Sequence, residues 1–195
     1  MDGAHWMASA LQAARAQLEI ATQNLANVST DGFRKAVARV ALSDRGLRVS
    51  AAPSSEQGGI KQTGRAFDLA LAGEGTFRVG DQRTRDGAFT RDRNGFLVDD
   101  RGRKLYGADG PVRVSAQAQV ERDGTILDGG RAVARIPLPA GTTVVRGALE
   151  ASTVDAVDQT LAILTAQRAF ETAQKTLVAI DATRQRAVDD VEQLK

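Results

Sequence analysis

The sequence predicts an α+β protein: long N- and C-terminal helices form a coiled-coil layer, with a small all-β domain of short antiparallel strands inserted between them. Three observations predict it. Both ends are apolar at alternating steps of three and four residues, the spacing of a helix face. The middle alternates in short runs between Gly-containing turns, the grammar of hairpins. All 4 prolines fall in that middle, away from the helical ends that they would break.

The C-terminal end carries the longest pattern. Beyond Gly147 there is no Gly and no Pro, and the stretch Leu149–Lys195 is rich in Ala, Leu, Gln, Arg and Glu. Ile163, Ala166, Phe170, Ala173, Leu177 and Ile180 form a stripe that resumes with Ala187, Val191 and Leu194. An earlier stripe of Val154, Val157, Leu161 and Leu164 is offset by a few residues, as a stutter would offset it. A single helix over this stretch is about 65–70 Å long. That exceeds a small domain, so the stripe needs a partner helix and further copies of the chain.

The first thirty residues supply the partner helix. Leu11, Ala14, Leu18, Ala21, Leu25 and Val28 keep the same spacing, with Arg15, Gln17, Glu19 and Gln23 off the stripe. The run stops at Asn27-Val28-Ser29-Thr30-Asp31-Gly32, where Asn, Asp and Gly favour non-helical backbone. This helix spans only about 35 Å. A two-helix hairpin closing a monomer is the commoner use of such helices, but the length mismatch would leave much of the longer stripe bare.

Between the ends, Phe33–Val40 alternates loosely and reads as an extended segment, and Ala51–Gly59 as a linker. Short runs follow at Asp68–Ala72 and Thr76–Val79, separated by a turn at Gly73-Glu74-Gly75. Asp92-Arg93-Asn94-Gly95 lies between Gly87–Arg91 and Phe96–Asp99, a hairpin signal because Gly95 accepts positive φ. Phe89, Phe96 and Val98 are expected in the small core, and Arg91, Arg93 and Arg101 outside it. The predicted organisation is residues 1–32 as N-terminal helix, 33–57 as extended segment and linker, 58–147 as β domain and 148–195 as C-terminal helix.

Composition excludes several classes of function. Lys and Arg number 26 against 24 Asp and Glu, and no dense basic patch with interleaved aromatics marks nucleic-acid binding. No apolar run reaches transmembrane length, and no cleavable signal opens the chain. The absence of Cys excludes disulfides, thiolate metal sites and Cys nucleophiles.

Four motifs taken together resemble the rod and hook group of bacterial flagellar axial proteins. The first is Ala21-Thr22-Gln23-Asn24-Leu25-Ala26-Asn27-Val28-Ser29-Thr30-Asp31-Gly32-Phe33, an Asn-Leu-Ala-Asn core followed by a Gly-aromatic pair. The second runs from Gln62-Thr63-Gly64-Arg65 through Phe67–Leu71 to Gly73-Glu74-Gly75-Thr76-Phe77. The third runs from Thr84-Arg85-Asp86-Gly87-Ala88-Phe89-Thr90 through Asn94–Val98 to Gly102 and Gly107. The fourth is Leu149–Asp155 with Ala166-Gln167-Arg168-Ala169-Phe170-Glu171.

The resemblance implies a structural subunit of the basal-body rod, with parallel assembly around a central channel. The terminal helices form the inner tube, and the β domain sits outside. It implies as partners other copies of the chain, neighbouring rod or hook subunits and the flagellar type III export apparatus, and it implies location in the basal body, with no membrane insertion, nucleic acid or cofactor. Ser152-Thr153-Val154 stands where the family has Ser-Asn-Val, and the stretch Pro137–Gly147 is short. Proximal rod, distal rod and hook therefore all stay open.

Fragments suggestive of chemistry have plainer explanations. Gly73-Glu74-Gly75 lacks the Lys-Ser/Thr of a phosphate loop. Asp92-Arg93-Asn94-Gly95 lacks the bidentate Glu of a calcium loop, Arg103 standing there instead. His5 is the only His, and Asn27-Val28-Ser29 is better read as a helix end than a glycosylation site. Asp99-Asp100 and Asp189-Asp190 read as solvated charge, so no enzyme is predicted. The expected assembly interface comprises Leu11, Leu18, Asn24, Leu25, Asn27, Val28, Val154, Val157, Leu161, Leu164, Gln167, Arg168, Phe170, Leu177 and Ile180. Within it, Asn24, Asn27, Gln167 and Arg168 are expected to set helix register and contacts between subunits. A monomeric binding module that captures a ligand on the β domain is the competing reading.

Overall fold

Helix α1 (Gly3–Ala26) ends where the Asn27 and Val28 amides turn back to the Asn24 and Leu25 carbonyls at 2.9 and 3.2 Å. The structure, a computed structural model, describes residues 3–44 and 46–193. The chain divides into two compact units, one of Met1–Val28, Lys35–Ser54 and Val154–Lys195, the other of Ser29–Arg34 and Ser55–Thr153.

The first unit holds α1, a hairpin of β1 (Ala36–Ser43) and β2 (Gly46–Pro53), and the C-terminal helix Ala156–Gln193. That helix, α2, begins at Ala156 and not at Leu149. The Asp155 carboxylate accepts hydrogen bonds from the Val157 and Asp158 amides at 2.8 and 3.0 Å, which is an N-cap. Val154 therefore lies ahead of the helix. With 24 and 38 residues, the two helices are about 36 and 57 Å long. Asn24 on the last turn of α1 reaches Gln159 on the first turn of α2 at 3.0 Å, so the pair is antiparallel.

The hairpin corrects the sequence reading of residues 33–57 as extended segment and linker. Its strands pair over their full length from Ala36↔Pro53 to Ser43↔Gly46. Residues directly opposite share a face. One face is thus wholly apolar, with Ala36, Ala38, Val40 and Leu42 opposite Pro53, Ala51, Val49 and Leu47.

The second unit is built from thirteen short strands. In chain order they are β3 (Ile60–Gln62), β4 (Leu69–Ala72), β5 (Phe77–Val79), β6 (Gln82–Thr84), β7 (Thr90–Arg91), β8 (Leu97–Val98), β9 (Leu105–Gly107), β10 (Gly110–Pro111), β11 (Gln119–Val120), β12 (Thr125–Asp128), β13 (Arg131–Arg135), β14 (Thr143–Arg146) and β15 (Ala148–Glu150). All pairings are antiparallel: a four-stranded sheet β10-β9-β5-β6, a three-stranded sheet β11-β12-β13, and the pairs β14-β4, β15-β3 and β7-β8. Alternate residues point into one core that includes Leu69, Leu71, Phe77, Val79, Leu105 and Ile126. The Phe77 and Phe89 rings meet edge-on at 5.3 Å, a preferred aromatic geometry.

The turn expected at Asn94-Gly95 is present. Thr90 pairs with Val98 and Arg91 with Leu97, and Gly95 has φ 86°. Asp92 organises it, its carboxylate accepting from the Asn94 and Phe96 amides at 2.9 and 2.7 Å. Phe89 and Val98 are buried and Arg91, Arg93 and Arg101 lie outside the core, as expected. Phe96 is not in the core. It is half-buried just ahead of β8, and its ring lies under Lys104 Nζ at 4.0 Å.

Asp99 repeats the Asp92 device, accepting from the Arg101 and Arg103 amides at 3.0 and 2.8 Å. It also binds the Arg103 guanidinium at 2.7 Å. Asp99 is buried, which corrects its reading as solvated charge. Burial pushes its carboxyl up, but the Arg103 side chain and the backbone amides of Arg103 and Arg101 outweigh this and hold it below the ordinary value.

Candidate assembly surface and a buried ion pair

Both helices of the first unit are amphipathic, and the structure separates the stripes of α2 by function. Facing α1 are Ala166 and Ala173, both buried, with Ile163, Phe170, Leu177 and Ile180 half-buried. From α1, Ala14 and Ala21 are buried and Leu11, Leu18 and Leu25 half-buried. This stripe is therefore largely consumed within the chain. The other stripe, Val157, Leu161 and Leu164, continues through Arg168, Glu171 and Lys175 to Val178. At about 3.6 residues per turn it lies on the opposite side of α2. Val157, Leu161, Leu164 and Val178 are 68, 57, 46 and 68% exposed.

Exposed apolar residues concentrate in this unit. Of the large hydrophobics exposed among the described residues, only Ile60 and Val133 belong to the second unit. Val28, Val37, Val40 and Leu42 join the α2 stripe in the first, Leu42 at 72%. Val40 and Leu42 lie on the apolar face of the hairpin.

The polar positions behave differently from one another. Asn24 is 2% exposed. Its Nδ2 donates to the Ala36 carbonyl at 2.8 Å and to Gln159 Oε1 at 3.0 Å, and its Oδ1 accepts from the Ala36 amide at 2.8 Å. It fixes where β1 starts relative to both helices, and its amide is spent inside the chain. Asn27 donates to the Gln23 carbonyl at 2.8 Å and closes α1. Gln167 and Arg168 are exposed, with Arg168 on the uncovered stripe. Val154 is buried. Leu194 lies outside the described residues, as do the side chains of Ala187, Asp189, Asp190 and Val191.

In the second unit Gly73 and Gly75 occupy turns at φ 110 and 125°, near a buried ion pair that the sequence reading missed. Arg85 and Glu150 meet at 2.5 Å, their side chains 3 and 1% exposed. Arg85 Nη1 also donates to the Gly73 and Gly75 carbonyls at 2.9 Å each, and Nη2 to the Leu71 carbonyl at 2.7 Å. Glu150 accepts further from the Gly58 amide at 3.2 Å. Arg34 stands 4.0 Å away, too far for a hydrogen bond. The guanidinium fork thus ties β15 to the β4–β5 turn.

The segment Ser29–Arg34 lies beside this pair. The Gly32 amide donates to the Glu150 carbonyl at 2.7 Å and the Thr153 amide to the Phe33 carbonyl at 3.0 Å. Gly32 has φ 70°, and a Cβ there would fall 2.3 Å from the Asp86 amide nitrogen, so no larger residue fits. Three of the motifs singled out in the sequence converge here: Gly32-Phe33, Arg85-Asp86 and Leu149-Glu150. Sequence offered no signal for the ion pair beyond the presence of Arg85 and Glu150 within those motifs.

Among the described residues no group of three or more His, Cys, Asp or Glu is placed to hold a metal, and no helix is long and apolar enough to cross a membrane.

Comparison with known proteins points to the same two ends of the chain. The family described as Flagella basal body rod protein matches residues 7–34, and Flagellar basal body rod FlgEFG protein C-terminal matches residues 145–189. The flagellar basal-body rod protein FlgF of Caulobacter vibrioides is 28% identical, over 84% of this chain and 86% of that protein. The flagellar basal-body rod protein FlgG of Bacillus subtilis is 26% identical, over 89% of this chain and 92% of that protein. The flagellar hook protein FlgE of Brucella abortus is 34% identical, over 51% of this chain and 29% of that protein. Both ends of the chain therefore match flagellar basal-body rod families, and the relatives matched over most of its length are flagellar rod proteins.

Proposed function

We propose that this protein is a structural subunit of the flagellar basal-body rod that polymerises through its helical unit into the hollow shaft and transmits torque by rigid packing. Its relatives are rod and hook proteins of the flagellum, not enzymes. The observation that carries the reading is the second apolar stripe of α2. The helix has one face against α1 and an opposite face on which Val157, Leu161 and Leu164 stand exposed. An isolated chain gains nothing from such a face, whereas a coiled-coil layer of neighbouring copies would bury it. Arg168, Glu171 and Lys175 in the same stripe carry both signs of charge, suited to setting register against a neighbour. Partners in this reading are further copies, adjoining rod or hook subunits and the type III export apparatus.

Leu161→Asp with Leu164→Asp tests the reading. Because both residues are exposed in the single chain, the variant should melt close to the parent yet fail to enter rods, since charge on a dry seam is disfavoured. Leu18→Asp with Leu177→Asp should instead destabilise the chain itself, because those residues lie in the helix pair. Rods that incorporate the Leu161/Leu164 variant normally would refute assembly through this face.

A further inference from the structure

The four-stranded sheet β10-β9-β5-β6 buries Phe77, Val79 and Leu105 on one face and turns the other outward. On the outward face the register sets Tyr106 opposite Arg78, and Arg78 opposite Arg83. The Arg78 guanidinium lies 4.9 Å from the Tyr106 ring centroid. Among the described residues no ion pair involves Arg78 or Arg83, although Glu74 lies in the turn just before β5. Like charges directly opposite across strands destabilise a sheet, so this pair opposes folding until a carboxylate joins it.

The same two arginines line a pocket of about 350 Å³ with Gly75, Thr76, Pro137, Leu138 and Pro139. Its apolar side is built into the fold. Leu138 packs on the core, the Ile136 amide donates to the Gly124 carbonyl at 2.8 Å and the Thr142 amide to the Pro139 carbonyl at 3.2 Å, and the Thr142 hydroxyl donates to the Glu74 carbonyl. Pro137 and Pro139 fix their own φ and present no amide donor. The pocket is thus preformed, a guanidinium edge beside a larger proline–leucine shelf, with room for one or two side chains.

We propose that this pocket docks an acidic residue with an apolar neighbour from a partner protein. The carboxylate would lie between Arg78 and Arg83, whose planar forks match it, and would cancel their repulsion. The apolar neighbour would rest on Leu138 and the two prolines. A phosphate or polyanion fits less well. It would want several donors around it, and the shelf supplies none.

The test is a titration of the full-length, 15N-labelled chain with the capped dipeptide acetyl-Glu-Leu-amide, read at the Thr76, Arg78, Arg83 and Leu138 amides. Saturable shifts are expected. Binding should weaken about tenfold for acetyl-Gln-Leu-amide and about as much for Arg83→Gln, with Arg78→Lys intermediate because an ammonium lacks the fork. Arg83→Gln should melt no lower than the parent, which separates lost binding from lost folding. Absence of saturable shifts, equal binding of the glutamine dipeptide, or undiminished binding by Arg83→Gln overturns the proposal. Inorganic phosphate binding as tightly as the glutamate dipeptide also overturns it, in favour of an unselective anion site.

Discussion

Arg85→Leu should damage the second unit more than any surface change. The guanidinium makes one hydrogen bond to the Glu150 carboxylate and three to the Leu71, Gly73 and Gly75 carbonyls. Leucine fills part of the space and satisfies none of them. The carboxylate would be left with the Gly58 amide at 3.2 Å and Arg34 at 4.0 Å. Removing one partner of a buried pair costs about 3–5 kcal/mol, and each orphaned carbonyl up to about 1–3 kcal/mol if water cannot reach it. These terms overlap and do not add, so the expected loss is at least about 3 kcal/mol, a large fraction of a domain's usual ~5–15 kcal/mol. Glu150→Gln keeps a neutral acceptor and leaves the three carbonyl bonds intact, so it should cost less, about 1.5–3 kcal/mol. Arg85→Lys should fall between wild type and Arg85→Leu, since one ammonium cannot reach four acceptors. Amide hydrogen exchange at Leu71, Phe77 and Leu97 in the full chain reads the stability of this unit directly. If Arg85→Leu leaves protection within about 1 kcal/mol of the parent, or if Glu150→Gln is the worse variant, the ion pair does not hold β15 as argued.

Gly95→Val should cost about one to several kcal/mol, because a β-branched residue resists positive φ. Gly95 sits at φ 86°, and a Cβ there would stand 3.2 Å from the Val114 carbonyl oxygen. Arg93→Ala on the same turn should melt within about 0.5 kcal/mol of the parent; the reverse order would mean the turn is misread. Acid should unmask the aspartates. The Asp99 carboxyl is held below its ordinary value, so the stability it contributes is complete above the unfolded value of about 3.9 and is lost as pH falls through the lower folded one. Asp86 has the opposite sign: burial raises its carboxyl, and its charged form costs stability at neutral pH that protonation relieves. Melting of Asp99→Asn and Asp86→Asn from about pH 7 to about pH 2 should show a flatter acid limb for the first and a gain confined to neutral pH for the second. Parallel curves for both variants would count against these assignments.

The elements whose signals are local were legible in the residues alone. Three-four spacing marked both helices, because a helix displays its period whatever it packs against. The turn at Asn94-Gly95 was readable because positive φ is a property of Gly95 itself. The hairpin Ala36–Pro53 was not, since its small Ala and Ser residues and scattered arginines carry little strand preference, and its pairing depends on Asn24, which belongs to another element. The start of α2 moved from Leu149 to Ala156 because β3 pairs with residues 148–150 and holds them extended. Phe96 is as apolar in sequence as the buried Phe89, and only the fold sets its ring against Lys104 instead of in the core. The Arg85–Glu150 pair spans 65 residues; an isolated Arg or Glu reads as solvated charge until packing removes its water. The two stripes of α2 show the division most clearly. Sequence marked both as apolar, but only the position of α1 determined that Ala166 and Ala173 are closed within the chain while Val157, Leu161 and Leu164 stay open, because one short helix can cover only one side of a longer one.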